Sequence, residues 1–107
     1  MRAVKVRYSR RSRRQLDNIH SYIRERNPEA ATRVIARIRR SVSLLLDFPN
    51  LGPHGLVAGT RELIVVGLPY VVVYRLATDR DDIIDILGVY HSAQNRVRDL
   101  TVGVPRP

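Results

Sequence analysis

Cysteine is absent from this chain of 107 residues, which excludes a disulfide framework and thiolate chemistry. Long hydrophobic runs are also missing. The longest apolar stretch, residues 63–74, is interrupted by Gly67 and Pro69 and is well short of the roughly 20 residues that span a bilayer. The first residues alternate charged with apolar side chains and lack the apolar centre of a signal peptide. We therefore expect a single-domain cytoplasmic protein with no membrane partner.

Common catalytic motifs are missing as well. The sequence has no phosphate-cradling glycine loop, zinc-ligand pair, nucleophile elbow or dinucleotide fingerprint, which excludes stand-alone metabolic enzymes of those classes. Asp79, Asp81 and Asp82 form an acidic cluster, but acids are ordinary at a turn between two strands, so we favour a turn over a metal site. We expect neither a metal nor a cofactor.

Positive charge is what the sequence has in excess. Basic residues number 19 against 10 acidic ones, for a formal charge of +9, and Lys5 is the single lysine. This balance indicates an acidic partner, which is nucleic acid, a nucleic-acid-bound machine or an acidic protein. A solvated arginine-rich surface explains most of these side chains equally well, so direct nucleic-acid binding is allowed but not required.

Residues 61–91 organise the predicted fold. Three runs of β-branched and aromatic residues, separated by turn residues, predict an antiparallel meander. Side-chain alternation along the last run predicts that Ile84, Ile86, Gly88 and Tyr90 share one face, opposite Ile83, Asp85, Leu87 and Val89. Both faces are then largely apolar, so helices should cover most of one face and a partner part of the remainder.

The first half of the chain predicts a strand and two helices. Residues 4–8 alternate as in a half-buried strand, and Ser9 is placed to cap a helix over residues 10–26. Asn27 and Pro28 break that helix and begin a second one, which ends at Pro49. Their short connection makes the two helices an antiparallel hairpin whose apolar stripes cover the sheet. Four arginines crowd the first turn of the first helix, against the helix dipole, at Arg10, Arg11, Arg13 and Arg14.

The predicted loops and the C-terminal tail contain few side chains that could take part in catalysis. In the predicted loop at residues 50–60, His54 is the one side chain able to transfer a proton near neutral pH. Residues 92–100 predict a short helical turn, and residues 101–107 have the composition of a frayed tail. The sequence thus predicts one α+β domain over residues 1–100: an N-terminal strand, an antiparallel helix hairpin and a three-stranded antiparallel meander in one sheet.

This order of elements resembles the ParE/RelE superfamily of toxins from bacterial type II toxin–antitoxin modules. The resemblance spans nearly the whole chain and is closer to the ParE branch. It implies a RelE-like fold and a toxin that lacks a conventional active site and poisons DNA gyrase. The residues that carry it are Tyr8-Ser9, Leu16, Ile19, Tyr22-Ile23, Asn27-Pro28-Glu29-Ala30-Ala31, Phe48-Pro49, Gly52, Arg61-Glu62-Leu63, the run from Tyr70 to Arg75, and Val89-Tyr90-His91.

The RelE branch supplies an alternative, because its members cut messenger RNA on the ribosome. By strand position, Arg61 and His91 match places where such nucleases carry an arginine and, in some branches, a histidine. The chain departs from the nuclease pattern in having no lysine beyond Lys5 and no carboxylate in the 50–60 loop to act as a general base. A basic binding module without toxicity is the third interpretation.

Each candidate also has a structural explanation. Arg61 can pair with Glu62 or an aspartate, and His91 can be a solvated strand end. Arg75 can pair across the turn with Asp82 or Asp85. For Tyr74 and Tyr90 we favour core or rim positions over stacking platforms.

The resemblance, together with the apolar sheet and the charge, also implies partners. We expect a cognate ParD-like antitoxin with an acidic amphipathic C-terminal arm, and DNA gyrase as the target. The candidate antitoxin-binding residues are Tyr22, Arg26, Arg33, Arg37 and Arg40. The candidate target-binding residues are Arg61, Arg75, Tyr90, His91, Arg96 and Arg98.

Overall fold

The computed structural model of the chain describes residues 4–77 and 79–101, and its elements follow the predicted order. The α+β architecture is thereby confirmed. Of the predicted C-terminal tail, Thr101 ends a helix and residues 102–107 lie outside the described part. The elements are β1 (Lys5–Tyr8), α1 (Arg10–Arg24), α2 (Pro28–Ser43) with a 3-10 turn at Leu44–Leu46, β2 (Arg61–Ile64), β3 (Tyr70–Leu76), β4 (Ile83–His91) and α3 (Arg96–Thr101).

The four strands form one sheet in the order β1-β4-β3-β2. Strands β2, β3 and β4 make the predicted antiparallel meander, whereas β1 pairs in parallel with the first half of β4. Beyond β1, the start of α1 bonds to the open edge of β4: the Ser9 hydroxyl donates to Leu87 O and Gln15 Oε1 accepts from Val89 N. Because α1 replaces the missing strand there, the second half of β4 keeps its backbone polar groups paired.

Two side-chain caps begin the helix hairpin as predicted. Ser9 Oγ accepts from Ser12 N, and Asn27 Oδ1 accepts from Ala30 N with Pro28 in the first helical position. The hairpin covers one face of the sheet. The core between them is built from Leu16, Ile38, Val42 and Leu45 of the helical layer and Leu63, Val65, Val72, Tyr74, Ile84, Ile86 and Val89 of the sheet.

The predicted alternation of β4 is wrong in its second half. Val73 pairs with Gly88 but Tyr74 pairs with Ile86, so Leu87 is an extra residue that forms a bulge. A bulge shifts the alternation by one residue, which turns every later side chain to the opposite face. Val89 therefore joins Ile84 and Ile86 beneath the helices, and Tyr90 lies on the far face with Gly88.

Gly88 is needed beneath the Tyr90 ring. A Cβ atom at this position would lie 2.3 Å from Cε2 of Tyr90, which is closer than real Cβ contacts allow. A glycine lets the ring lie flat over the strand. The bulge and this glycine together place Tyr90 where α3 can cover it.

The far face of the sheet is partly covered by α3 of the chain itself. The Tyr90 hydroxyl donates to the Asp99 carboxylate, and Arg96 donates to Glu62 Oε1 over 2.8 Å. At the edge strand β2, however, Ile64 and Val66 are 67% and 79% exposed. On this face, the apolar surface left for a partner is thus narrower than the sequence predicts and includes Ile64 and Val66 at the β2 edge.

Candidate functional site

Arg61 is engaged in holding a loop to the sheet. Its Nη1 atom donates to Gly52 O over 2.8 Å and to Asn50 O over 3.4 Å. The buried Tyr74 hydroxyl fixes the same loop, because it accepts from Gly52 N and donates to Pro49 O, each over 2.9 Å. Arg61 therefore binds backbone carbonyls instead of Glu62 or an aspartate.

His91 is exposed at the end of β4. Its ring meets the Tyr70 ring edge-on, with centroids 5.9 Å apart and an interplanar angle of 86°. Nδ1 accepts from Ala93 N over 3.2 Å, and the backbone N of His91 donates to Gln94 Oε1 over 2.7 Å. Because Nδ1 is an acceptor, the neutral imidazole carries its proton on Nε2.

The two residues that matched nuclease positions lie at opposite ends of the sheet. Arg61 is paired with Tyr74, near the end of β3, whereas His91 is paired with Tyr70, its first residue. Four steps along a strand amount to about 13 Å, and the two residues are further separated across the sheet because β3 lies between β2 and β4. General acid–base catalysis needs groups within hydrogen-bond reach of one reacting centre, and this pair does not provide such a centre.

Tyr90 and Arg96 hold α3 to the sheet. Tyr90 is only 2% exposed, and its burial together with the Asp99 carboxylate raises its pKa to about 12. The phenol is therefore protonated at neutral pH and donates to Asp99, whose carboxylate also lies 3.4 Å from Arg11 Nε. The preference for a core position at Tyr74 and Tyr90 is confirmed.

The Arg96–Glu62 pair is shielded from solvent, with side chains 17% and 13% exposed. The Arg96 guanidinium holds the pKa of Glu62 below its ordinary value of 4.5. A lowered folded-state pKa means that the pair stabilises the fold at pH values above the unfolded pKa, and that this stability is lost as the pH falls through the folded pKa.

We accordingly expect Arg96→Ala to lower the free energy of unfolding at pH 7 by about 1–3 kcal/mol, because it leaves a shielded carboxylate with the Leu56 N–H but without its cation. The difference from wild type should shrink as the pH falls through the lowered pKa that Glu62 has in the folded wild type, because its carboxylate then becomes protonated. Urea denaturation at pH 7 and pH 3 measures both values, with Arg98→Ala on the same helix as the control. A difference that is constant with pH would contradict the role of the Glu62 carboxylate.

The predicted partners of Arg75 are wrong. Asp82 Oδ2 lies 2.8 Å from Arg80 Nη2, and Asp85 Oδ1 lies 2.6 Å from Arg7 Nε, so both carboxylates bind other arginines. Arg75 is exposed at the end of β3, and Arg98 is exposed on α3. Among the candidate target-binding residues, Arg75, His91 and Arg98 thus present exposed side chains.

The candidate antitoxin-binding residues are all exposed on the helix hairpin. The Arg26 guanidinium carbon lies 5.2 Å from the centroid of the Tyr22 ring, a cation–π distance. On α2, Arg37 donates to the Val66 carbonyl, while Arg33 and Arg40 lie on the same exposed side of the helix. The hairpin therefore presents an arginine-rich outer surface next to the apolar β2 edge.

A cleft of about 560 Å³ opens between α1 and the end of the sheet. It brings together Tyr22 and His91, which the sequence assigned to two different partners. No sequence signal joins them, although the pairing of Tyr70 with His91 follows once the register of β3 and β4 is known. The side chains that line the cleft include Asn18, Ile19, Tyr22, Tyr70, His91 and Gln94.

Other kinds of site find no support in the described part of the chain. Within residues 4–77 and 79–101, His, Asp and Glu side chains form no group of three suited to a metal ion. Two acids of the turn cluster bind arginines instead: Asp79 pairs with Arg7 and Asp82 with Arg80. Over the same residues, no helix has both the length and the apolar character needed to cross a membrane.

Known proteins resemble this chain in sequence and in fold. Residues 6–96 match the family described as ParE toxin of type II toxin-antitoxin system, parDE. The chain is 38% identical over 94 residues to Y4kP of Sinorhizobium fredii, described as a candidate toxin, covering 88% of this chain and 94% of that protein. It is 34% identical over 79 residues to Toxin RelE2 of Caulobacter vibrioides, covering 74% of this chain and 84% of that protein.

Two solved structures share the fold. One is the chromosomal ParDE toxin–antitoxin system of P. aeruginosa, with a TM-score of 0.73 and 23% identity over 83% of this chain and 96% of the matched one. The other is the RelBE2 toxin–antitoxin complex of Mycobacterium tuberculosis, with a TM-score of 0.55 and 22% identity over 83% of this chain and 98% of the matched one. With the family match over most of its length, this chain belongs to the ParE toxin family of type II toxin–antitoxin systems.

Proposed function

We propose that this toxin arrests bacterial growth by binding and poisoning DNA gyrase. The observation that carries the proposal is the separation of Arg61 and His91 at opposite ends of β3, which argues against a nuclease centre built from them. The family match and the resemblance to the ParE branch support the choice of gyrase. The target surface includes the exposed side chains of Arg75, His91 and Arg98, whereas Arg61, Tyr90 and Arg96 are partly or fully buried and form hydrogen bonds within the fold.

Alanine substitutions at Arg61 and His91 distinguish binding from catalysis. Because binding energy is spread over a surface, we expect His91→Ala and Arg61→Ala to leave growth arrest within about tenfold of the wild type. In a nuclease, each change would cost on the order of 100-fold in rate. Survival after induced expression in growing bacteria measures the effect.

The control for His91→Ala is His54→Ala, which removes another exposed imidazole. Arg61→Ala also removes the bonds to Asn50 O and Gly52 O, so its melting temperature must be measured alongside. If His91→Ala abolishes growth arrest, His54→Ala does not, and gyrase is unaffected by the wild-type protein, the ribosome-dependent nuclease becomes the better explanation. Similar structures from the RelE branch make this the second candidate.

We further propose that a cognate antitoxin neutralises the toxin through an acidic amphipathic arm. The two solved structures described above are toxin–antitoxin systems or complexes, which supports a partner of this kind. The arm would pair its carboxylates with the arginines of the hairpin and bury its apolar face against Ile64 and Val66 at the β2 edge.

Stopped-flow mixing of the toxin with its antitoxin tests this electrostatic step. We expect the association rate to fall as salt is raised, and to fall further in a variant that combines Arg33→Ala with Arg40→Ala. Arg10→Ala with Arg13→Ala removes two exposed cations from α1 and is the matched control. Rates that do not depend on salt, or failure to recover a tight acidic partner by affinity purification, would contradict the proposal.

A further inference from the structure

The cleft between α1 and the end of the sheet joins Tyr22, a candidate antitoxin-binding residue, to His91, a candidate target-binding residue, and neither assignment accounts for the two together. It combines aromatic rings and amide side chains with the apolar side chains of Ile19, Pro69 and Val89, in a chain whose net charge is +9. We propose that this cleft binds one unpaired base of a single-stranded nucleic acid. The inference goes beyond the proposed function because it requires neither gyrase nor an antitoxin.

Aromatic surface for stacking comes from both walls of the cleft. Tyr22 projects from α1 with its side chain 60% exposed, and Arg26 lies against its ring at 5.2 Å. On the opposite wall, Tyr70 and His91 hold each other edge-on at 5.9 Å, which fixes the orientation of the exposed imidazole. Rings presented in this way, backed by an arginine, are the usual platforms for unpaired bases.

Hydrogen-bond donors in the cleft suit a base better than an apolar side chain. His91 has its proton on Nε2, because Nδ1 already accepts from Ala93 N. Gln94 uses Oε1 to accept from the His91 backbone, which leaves its amino group as the donor end, and Asn18 adds a further amide. An apolar side chain in the cleft would cover these donors without satisfying them, whereas the carbonyl and ring-nitrogen atoms of a base accept from them.

Cations are placed to hold the phosphates on either side of the bound base. Arg26 lies at the Tyr22 end. At the other end, the cleft continues past Gln94 into a second depression lined by Asn95 and Arg98. Among the described residues that line this depression, Asp99 supplies the carboxylate, and it already binds Tyr90 and Arg11. A single strand fits this arrangement because its bases are free to turn into the cleft, whereas those of a duplex remain stacked.

Fluorescence anisotropy with the full-length protein and a labelled single-stranded oligonucleotide of mixed sequence tests the proposal. Loss of one base–ring stack weakens binding roughly 5- to 100-fold, so we expect that increase in Kd for Tyr22→Ala. Phe48→Ala is the matched control, because Phe48 is 59% exposed outside the cleft, and its Kd should remain at the wild-type value. Tyr22→Phe, which keeps the ring, should also bind as the wild type does.

A second oligonucleotide, in which every base is replaced by an abasic site, separates stacking from phosphate attraction. The wild type should bind it more weakly by the same factor, and Tyr22→Ala should cause no further loss. Equal affinity for the normal and abasic strands would overturn the proposal, as would equal affinities of Tyr22→Ala and Phe48→Ala. If Tyr22→Ala weakens binding of the acidic antitoxin arm while oligonucleotide affinity is unchanged, the cleft is a protein site and the proposal is wrong. Since gyrase is absent from the assay, its result is separate from that of the proposed function.

Discussion

Ile38→Asp is expected to unfold the domain. Ile38 is 0% exposed on α2 and belongs to the core between the hairpin and the sheet. The substitution buries a carboxylate among apolar side chains, which costs several kcal/mol, and whole domains are stable by only about 5–15 kcal/mol. Circular dichroism should show loss of the cooperative thermal transition, and expression of this variant should not arrest growth.

Arg37→Ala, one residue away on α2, is the control. Its guanidinium is exposed and donates to the Val66 carbonyl, so removing it should change the free energy of unfolding by about 0.5 kcal/mol. The contrast tests the orientation of α2, because adjacent residues on a helix point in different directions. Similar destabilisation in both variants would show that a different set of α2 side chains faces the core.

Truncation after His91 is expected to have the second-largest effect. The truncated chain loses α3, so Tyr90 loses its Asp99 partner and Glu62 loses Arg96. Exposing the part of the sheet that α3 covers and leaving a shielded carboxylate without its cation should lower the free energy of unfolding by several kcal/mol. Urea denaturation measures this loss.

The truncation affects folding as well as target binding. From the sequence, Arg96 and Arg98 are both candidate target-binding residues. In the structure, Arg96 stabilises the fold, so the truncated protein must be compared with Arg98→Ala, which keeps α3 in place. If the truncated chain has the same urea midpoint of unfolding as the wild type, α3 does not have the stabilising role assigned to it.

Most of the fold was predictable because its signals are local. Ser9 and Asn27 sit directly before the helices that they cap, and the strands of the meander follow one another along the chain. The parallel pairing of residues 5–8 with residues 83–86 was not predicted, since those segments are far apart in sequence and no local pattern marks the pairing.

The site was less predictable because it depends on tertiary detail. No residue pattern marks the bulge at Leu87, yet the bulge turns Tyr90 to the far face of the sheet and Val89 into the core. Arg61 looked like a catalytic or paired arginine, but its partners are backbone carbonyls, which any sequence supplies. Tyr22 and His91 line the same cleft because of the angle at which α1 crosses the sheet, and neither residue indicates that angle.

The most direct test of gyrase poisoning uses purified gyrase, relaxed plasmid DNA and the full-length toxin, with a translation reaction in parallel. If the toxin poisons gyrase, it should inhibit ATP-dependent supercoiling in proportion to its concentration, and an equal amount of its antitoxin should restore supercoiling. Ribosome-bound messenger RNA should stay intact. Cleaved messenger RNA together with unimpaired supercoiling would contradict the account and assign the toxin to the ribosome.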